Sequence, residues 1–361
     1  MKNSKIFFLN TSIILFSIIL SLSFVELFFR LYLFGIEGDP FKIQNWAIKG
    51  VWDVERSPVE LSYKYGWIPK VGSFNKNTPP HTITIDNNSF RNNHPLELID
   101  SSRKTILFSG DSFTFGDGVN DYSTFPSFFQ SITKDKVLNG GVPAYGIDQM
   151  YLRSLDIIQD YKISDLFFCF IPDDINRCNN STFHKVQKPY FNFEGDSTRL
   201  IPINPENFSN SITFNLSLFH KIGGYSLVID KLMGSFFPEF WSYSVQISKK
   251  KEHGKGNEVS VQLINLLKKE CDKRNINFFV VPLAHQRYAI DHIDNLQFVL
   301  NNLDKGINIV NVFKKLEKIR LENPELFSSY FLKKNYHFSK LGNEFVANYI
   351  YSEILNFPFN K

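Results

Sequence analysis

Cysteine is scarce in this chain: three in 361 residues, Cys169, Cys178 and Cys271. Three cysteines cannot all pair with one another, and no spacing among them suggests a disulfide framework or a metal site. Cys169 lies in an apolar run and Cys271 in a helical pattern, so both are expected in the core. An excess of one charge is missing too. The 40 Lys and Arg against 36 Asp and Glu leave a net charge of +4, which excludes the electrostatic footprint of a nucleic-acid binder. No small-x-small cleavage site follows the first apolar run, which argues against a removable signal peptide. Six of the eight histidines (His81, His94, His184, His220, His253 and His292) stand in no partner pattern. None of them is assigned a role.

What the chain has in plenty is phenylalanine, 38 residues that read as compositional bias beside so much Asn, Lys and Ile, within an apolar content of 43% that is ordinary for a globular protein. Ile6 to Val25 is twenty mostly apolar residues, and the character continues to Phe34. Twenty helical residues roughly match a ~30 Å hydrocarbon layer. Lys2 and Lys5 precede the run and favour a cytoplasmic amino terminus with the remainder exported. The expectation is an uncleaved signal anchor over 1–34, with Glu26 and Arg30, four apart, paired near the outer interface. Residues 35–103 are loop-rich, with three Trp and several Pro, and are expected to pack as a lead-in on the domain that follows.

From residue 104 onward strands and helices alternate. Ile106–Phe108, Val137–Leu138, Leu166–Ile171, Asn277–Pro282 and Ile307–Val312 read as strands. Helical patterns cover Pro126–Ile132, Ile147–Gln159, Val259–Lys273, Ile293–Asn302 and Leu341–Leu355, the last with Ser339 as N-cap. Such alternation predicts βαβ units and a parallel sheet. The pattern breaks over an insertion at about 178–257, which is aromatic, Asn/Ser-rich and read as irregular. Its end, Ser248–Gly256, reads as an exposed linker.

Chemistry-bearing residues recur where strands end. Gly110-Asp-Ser112 follows the first strand, Asn139-Gly-Gly141 the second and Pro172-Asp-Asp174 the third, and Asn335-Tyr-His337 comes just before the last helix. A parallel sheet brings all its strand carboxyl ends to one edge. A serine, glycine-turn N–H groups and a late histidine meeting there make up the parts for acyl transfer: nucleophile, oxyanion donors and general base. His285, after Pro282, is expected at the same edge, where a satisfied loop histidine is the plainer role. Asp111 and Asp174 are expected to anchor their turns.

These motifs, in this order, resemble the SGNH/GDSL hydrolase superfamily, and Ile85-Asp-Asn-Asn-Ser-Phe-Arg91 resembles the Asn-x-x-Gly-Phe-Arg lead-in of its membrane-anchored bacterial members. The resemblance runs from about residue 60 to the end, only loosely over the insertion. It implies a flavodoxin-like three-layer α/β/α sandwich around a parallel sheet of about five strands. It also implies Ser112 as nucleophile, His337 as base, Gly141 with Ser112 as backbone oxyanion donors, and an acylated small-molecule or glycan substrate of the cell envelope. No cofactor or metal is implied.

Two positions depart from the pattern. Asp173 stands where the family usually has an asparagine that donates to the oxyanion, and an ionised carboxylate cannot donate. Losing one such donor costs roughly 10²–10³ in rate. Lys334 and Asn335 stand where an aspartate is expected two or three residues before the histidine. Asparagine accepts from imidazole but stabilises imidazolium poorly, and in a serine protease an Asp-to-Asn change of this kind costs about 10⁴-fold. Three alternatives therefore stay open: a serine esterase, an O-acyltransferase, and an inactive SGNH-fold protein that binds glycan or an envelope partner.

Overall fold

The computed structural model describes residues 2–35, 41, 43, 45–46, 57–77, 80–93, 103–183, 186–195, 197–205, 217–241, 255–286, 290–333 and 336–357. In chain order, helix α1 (Lys2–Phe34) precedes hairpins β1 (Val59–Ser62)–β2 (Gly66–Pro69) and β3 (Gly72–Asn77)–β4 (Pro80–Ile85). Next come β5 (Thr105–Ser109), α2 (Ser112–Phe115), α3 (Phe125–Thr133), β6 (Lys136–Asn139), α4 (Ile147–Asp160), β7 (Asp165–Phe170) and α5 (Pro172–Arg177). The insertion carries the hairpins β8 (Thr182–Phe183)–β9 (Val186–Gln187) and β10 (Tyr190–Glu194)–β11 (Ser197–Ile201), then α6 (Leu218–Gly223), α7 (Leu227–Phe236) and α8 (Pro238–Trp241). The chain closes with α9 (Gly256–Lys273), β12 (Asn277–Pro282), α10 (Ile290–Asn301), β13 (Asn308–Ile309), α11 (Val312–Glu322), α12 (Pro324–Ser329) and α13 (Lys340–Ile354).

Two units result, one of residues 1–52 with 212–247, the other of residues 53–211 with 248–361. The second holds the expected sheet, five parallel strands in the order β13-β12-β7-β5-β6. The middle strand β7 is buried at every residue, as a strand covered on both faces must be. Phe108, Phe167 and Phe279 occupy paired positions on β5, β7 and β12 and stack at 4.7 Å centroid spacing. Helix α3 packs with α13, while α4, α9 and α10 pack together, giving the helical layers. From β5 the chain goes outward to β6 and returns past β5 to β7. The end of β5 is therefore a topological switch point, where open α/β sheets leave a crevice.

The lead-in is divided, residues 35–52 falling in the other unit and 53–103 in this one. Arg91 bridges to Asn139 at the end of β6, and the Trp67 indole donates to Pro143 O at 2.8 Å while Tyr145 Oη donates back to Trp67 O. Strand β2 thus grips the loop after β6 through Trp67, and the segment after β4 meets the end of β6 through Arg91.

The insertion differs from its expected irregularity, since it contains two hairpins and three helices. Ser217 and Ser226 cap α6 and α7 through their side chains, starts that an Asn/Ser-rich composition hid. The stretch 248–254 of the expected linker lies outside the described residues. The run Ile307–Val312 is also corrected: only Asn308–Ile309 pair with β12, because Asn311 caps α11 and turns Val312 into its first residue.

The other unit is built on α1. Its span Leu9–Leu33 is 25 residues, long and apolar enough to cross a membrane. Arg30 Nε meets Glu26 Oε1 at 2.6 Å, one helical turn away.

Candidate active site

Ser112 sits one turn past the end of β5. Asp111, in an extended conformation, caps α2 by accepting from Phe113 N at 2.8 Å, so Ser112 becomes the first helical residue. Gly116 ends the helix in the left-handed region at φ 83°, its N–H donating to Ser112 O at 2.9 Å. Four helical residues between two caps hold the serine in one orientation. Its hydroxyl is 2.8 Å from His337 Nε2.

His337 arrives from a turn pinned on both sides. Leu332 N donates to His337 O at 2.8 Å, Phe331 bridges Phe338, and Ser339 caps α13 by accepting from Gly342 N. Tyr336, just before it, is held at φ 61°, a strained conformation of the kind that clusters at functional sites. The imidazole lies beside Phe113, ring centres 4.8 Å apart. Burial pushes its pKa below the ordinary value, partly countered by the charges of Asp117 and Asp111. The ring is therefore held neutral near pH 7 and can take the Ser112 proton.

Beneath the serine lies a group of charges that the sequence did not announce. Asp111 and Asp174 are both fully buried, and Arg177 Nη1 sits 3.6 Å from Asp111 Oδ2 and in direct contact with Asp174 Oδ1. Asp174 Oδ2 accepts from Ile171 N at 3.0 Å, and Arg177 also donates to Tyr145 O at 2.9 Å. Burial raises the pKa of both carboxyls, and their mutual repulsion raises that of Asp174 further. One arginine thereby ties the turns after β5, β6 and β7 together.

Gly141 lies against the backbone of α2. A Cβ there would stand 2.3 Å from Phe115 N and 2.7 Å from the Thr114 carbonyl carbon, so only glycine allows this approach. Its N–H donates to Asn139 Oδ1 at 3.2 Å, a bond that an incoming oxyanion would have to share or displace. Asp173 is in the first turn of α5, about a third exposed, with Oδ1 3.6 Å from Nδ1 of His292 on α10. Its carboxylate faces a histidine to which the sequence assigned nothing. Asn335 lies outside the described residues. His285 reaches the same edge, its ring 5.8 Å from Phe113.

Arg91 is a further residue of the site's frame. Fully buried, it donates to Phe115 O at 2.8 Å and to the carbonyls of Gly116 and Val119, and it pairs with Asp121 at 3.0 Å. It thereby fixes the exit of α2. Among the described residues no group of three or more His, Cys, Asp or Glu gathers to hold a metal ion.

The arrangement offers a nucleophile, a neutral base and glycine-lined backbone at one sheet edge. No family model and no curated protein matches the chain. Among solved structures it is similar to a G-D-S-L family protein from Desulfitobacterium hafniense DCB-2 described as lipolytic, at 12% identity and a TM-score of 0.39 over 69% of this chain and 98% of that one. It is similar also to a lipase/acylhydrolase from Enterococcus faecalis (10% identity, TM-score 0.40, 70% and 95% covered). A catalytic mutant of an acetylxylan esterase from Geobacillus stearothermophilus gives 10% identity and a TM-score of 0.40, with 71% and 95% covered. The five-stranded parallel sheet flanked by helices is the α/β fold that the resemblance to SGNH hydrolases implies.

Proposed function

We propose that this protein is an SGNH-type serine hydrolase of ester bonds, anchored in a membrane by α1. The observation that supports the reading most is the 2.8 Å approach of His337 Nε2 to Ser112 Oγ, beside an imidazole held neutral by burial. His337 takes the hydroxyl proton as Ser112 Oγ attacks the ester carbonyl. The oxyanion rests on the N–H of Ser112, at the start of α2, and on that of Gly141 once Asn139 yields it. Protonated His337 then gives its proton to the leaving alcohol, and water, activated by the same imidazole, releases the acid from the acyl-enzyme. A sugar hydroxyl in place of that water would make the reaction a transfer.

The substrate class we favour is O-acylated glycan of the cell envelope. Lys2 and Lys5 ahead of the span support an extracytoplasmic catalytic unit. Labelling of the purified full chain with a serine-reactive fluorophosphonate tests the catalytic reading. Labelling lost in Ser112→Ala and strongly slowed in His337→Ala is expected. A chain that folds and does not label at all is a binding protein on this fold, a role that Asp173 facing His292 would suit.

A further inference from the structure

Residues 217–241 have their polarity turned outward-in. Leu218, Ile222, Leu232, Phe236, Phe237 and Phe240 are all exposed, Leu218 and Phe236 to 72% and 73%. Polar groups of two of its rings are turned inside. His220 is buried and stacks on buried Trp241, its ring nitrogens 2.6 Å from Ser217 Oγ and 2.9 Å from Phe240 O. The Trp241 indole donates to Asp230 Oδ1 at 2.9 Å. Water as solvent selects the opposite arrangement, whereas a hydrocarbon solvent demands that polar side chains and backbone be satisfied within.

The same segment meets α1 at a charge. Glu26 lies eight residues before the end of α1 at Phe34, about 12 Å along the axis at 1.5 Å per residue. It is within the apolar span Leu9–Leu33. An ionised carboxylate at that depth is costly unless it is fully partnered. It is: Glu26 accepts from Leu227 N at 2.9 Å, Val228 N at 3.0 Å and Ser226 Oγ at 2.9 Å, and it pairs with Arg30. Arg30 in turn donates to Tyr225 O at 2.9 Å. The first turn of α7 is therefore fixed to α1 below the end of the apolar span, and α7 carries exposed Leu232 and Phe236 onward from that point. The charged residues left at the surface include Lys221 and Lys231, and lysine is a side chain whose length allows an apolar stem to lie in hydrocarbon with its charge at the headgroups.

We infer that α6–α8 form a second membrane element, seated in the lipid at the acyl–headgroup boundary and locked to the anchor through Glu26 and Arg30. The inference rests on α1 crossing the membrane. The occupant of the exposed face is lipid, since α7 is bonded to α1 inside the apolar span and the polar groups of Glu26, His220 and Trp241 are partnered within the unit.

The test places one nitroxide per variant on the full chain in phosphatidylethanolamine–phosphatidylglycerol vesicles, at Phe236→Cys and Ile222→Cys, with Ile14→Cys and Leu321→Cys as lipid and water references. The native cysteines are buried, and the unsubstituted chain gives the background signal. Collision rates are measured with oxygen, which concentrates in acyl chains, and with a nickel chelate, which stays in water. An oxygen-to-nickel ratio at 236 and 222 several-fold above that at 321, and close to that at 14, is expected. Ratios at 236 and 222 equal to that at 321, with the ratio at 14 still high, overturn the inference and leave the anchor intact. A low ratio at 14 as well overturns the anchor and the inference together. Shielding of 236 and 222 from both reagents means contact with protein, a second copy or a partner, and overturns the inference also.

Discussion

Replacing Arg91 tests whether the turn that carries Ser112 is held from the lead-in hairpin. Its guanidinium is about 1% exposed and serves Asp121 together with the carbonyls of Phe115, Gly116 and Val119. In Arg91→Ala, Asp121 keeps its bonds from Thr84 N and Oγ1, but its buried charge loses its counter-ion and three carbonyls lose their donor. Removing one partner of a buried ion pair costs about 3–5 kcal/mol, a large share of the ~5–15 kcal/mol that holds a typical domain. Arg91→Lys keeps the charge but not the fork. A single ammonium reaches one or two of these acceptors, so the loss falls to about 1–3 kcal/mol at roughly 1 kcal/mol per bond. Pulse proteolysis across a urea series, on the full chain in nonionic detergent, reads the midpoint for the α/β unit. With a slope of about 2 kcal/mol/M, Arg91→Ala lowers it by about 1.5–2.5 M and Arg91→Lys by about 0.5–1.5 M. The labelling rate at Ser112 falls in both variants. A shift of less than about 0.2 M for Arg91→Ala would refute the reasoning, as would a lysine variant no better than alanine.

Activity should rise with pH through a value below 6.5, because burial lowers the His337 pKa and the neutral imidazole is the working form. The same shift makes stability fall as pH drops below the unfolded histidine's value, since the unfolded chain then binds the extra proton. A rate that instead rises only above pH 7 would point to another base. Asp173→Asn supplies a donor where the carboxylate has none to give, and a gain in kcat of at least tenfold for a model ester is expected, toward the roughly 10²–10³ of one oxyanion donor. An unchanged rate would place that side chain outside the oxyanion site. Gly141→Ala puts a methyl 2.3 Å from Phe115 N and must push α2 away, so a fall in kcat of about 10²-fold is expected from a displacement near 1 Å. Unimpaired activity in that variant would mean that the contact relaxes freely.

The central strands were legible because burial on both faces writes an unbroken apolar run, as in Leu166–Ile171 against the observed Asp165–Phe170. The meeting of Ser112 and His337 at one sheet edge was legible because one follows a strand end and the other precedes a helix start. The edge strand was not, since Ile309, Val310 and Val312 are apolar for different reasons: pairing, packing and the first turn of α11. The bonding of Arg91 and Arg177 was illegible because both have backbone carbonyls among their partners, which carry no sequence signature. The contact between Asp173 and His292 spans more than a hundred residues with no local pattern to announce it. The helices of the insertion went unread for another reason. Their apolar residues face outward, so the usual inside-outside alternation is reversed.

The position of β7 between β5 and β12 has a consequence during synthesis. β5 and β6 precede it in the chain, but β12 begins only at Asn277. Until residues 171–276 have been made, β7 is an open edge bearing Phe167, Phe168 and Phe170, each nearly or fully buried in the finished sheet. At about 5–20 residues per second that interval lasts roughly 5–20 s, long enough for an unpaired apolar edge to find the wrong neighbour. The nascent chain's exposure to aggregation is thus set by the length of the insertion, and shortening it would shorten that vulnerable window.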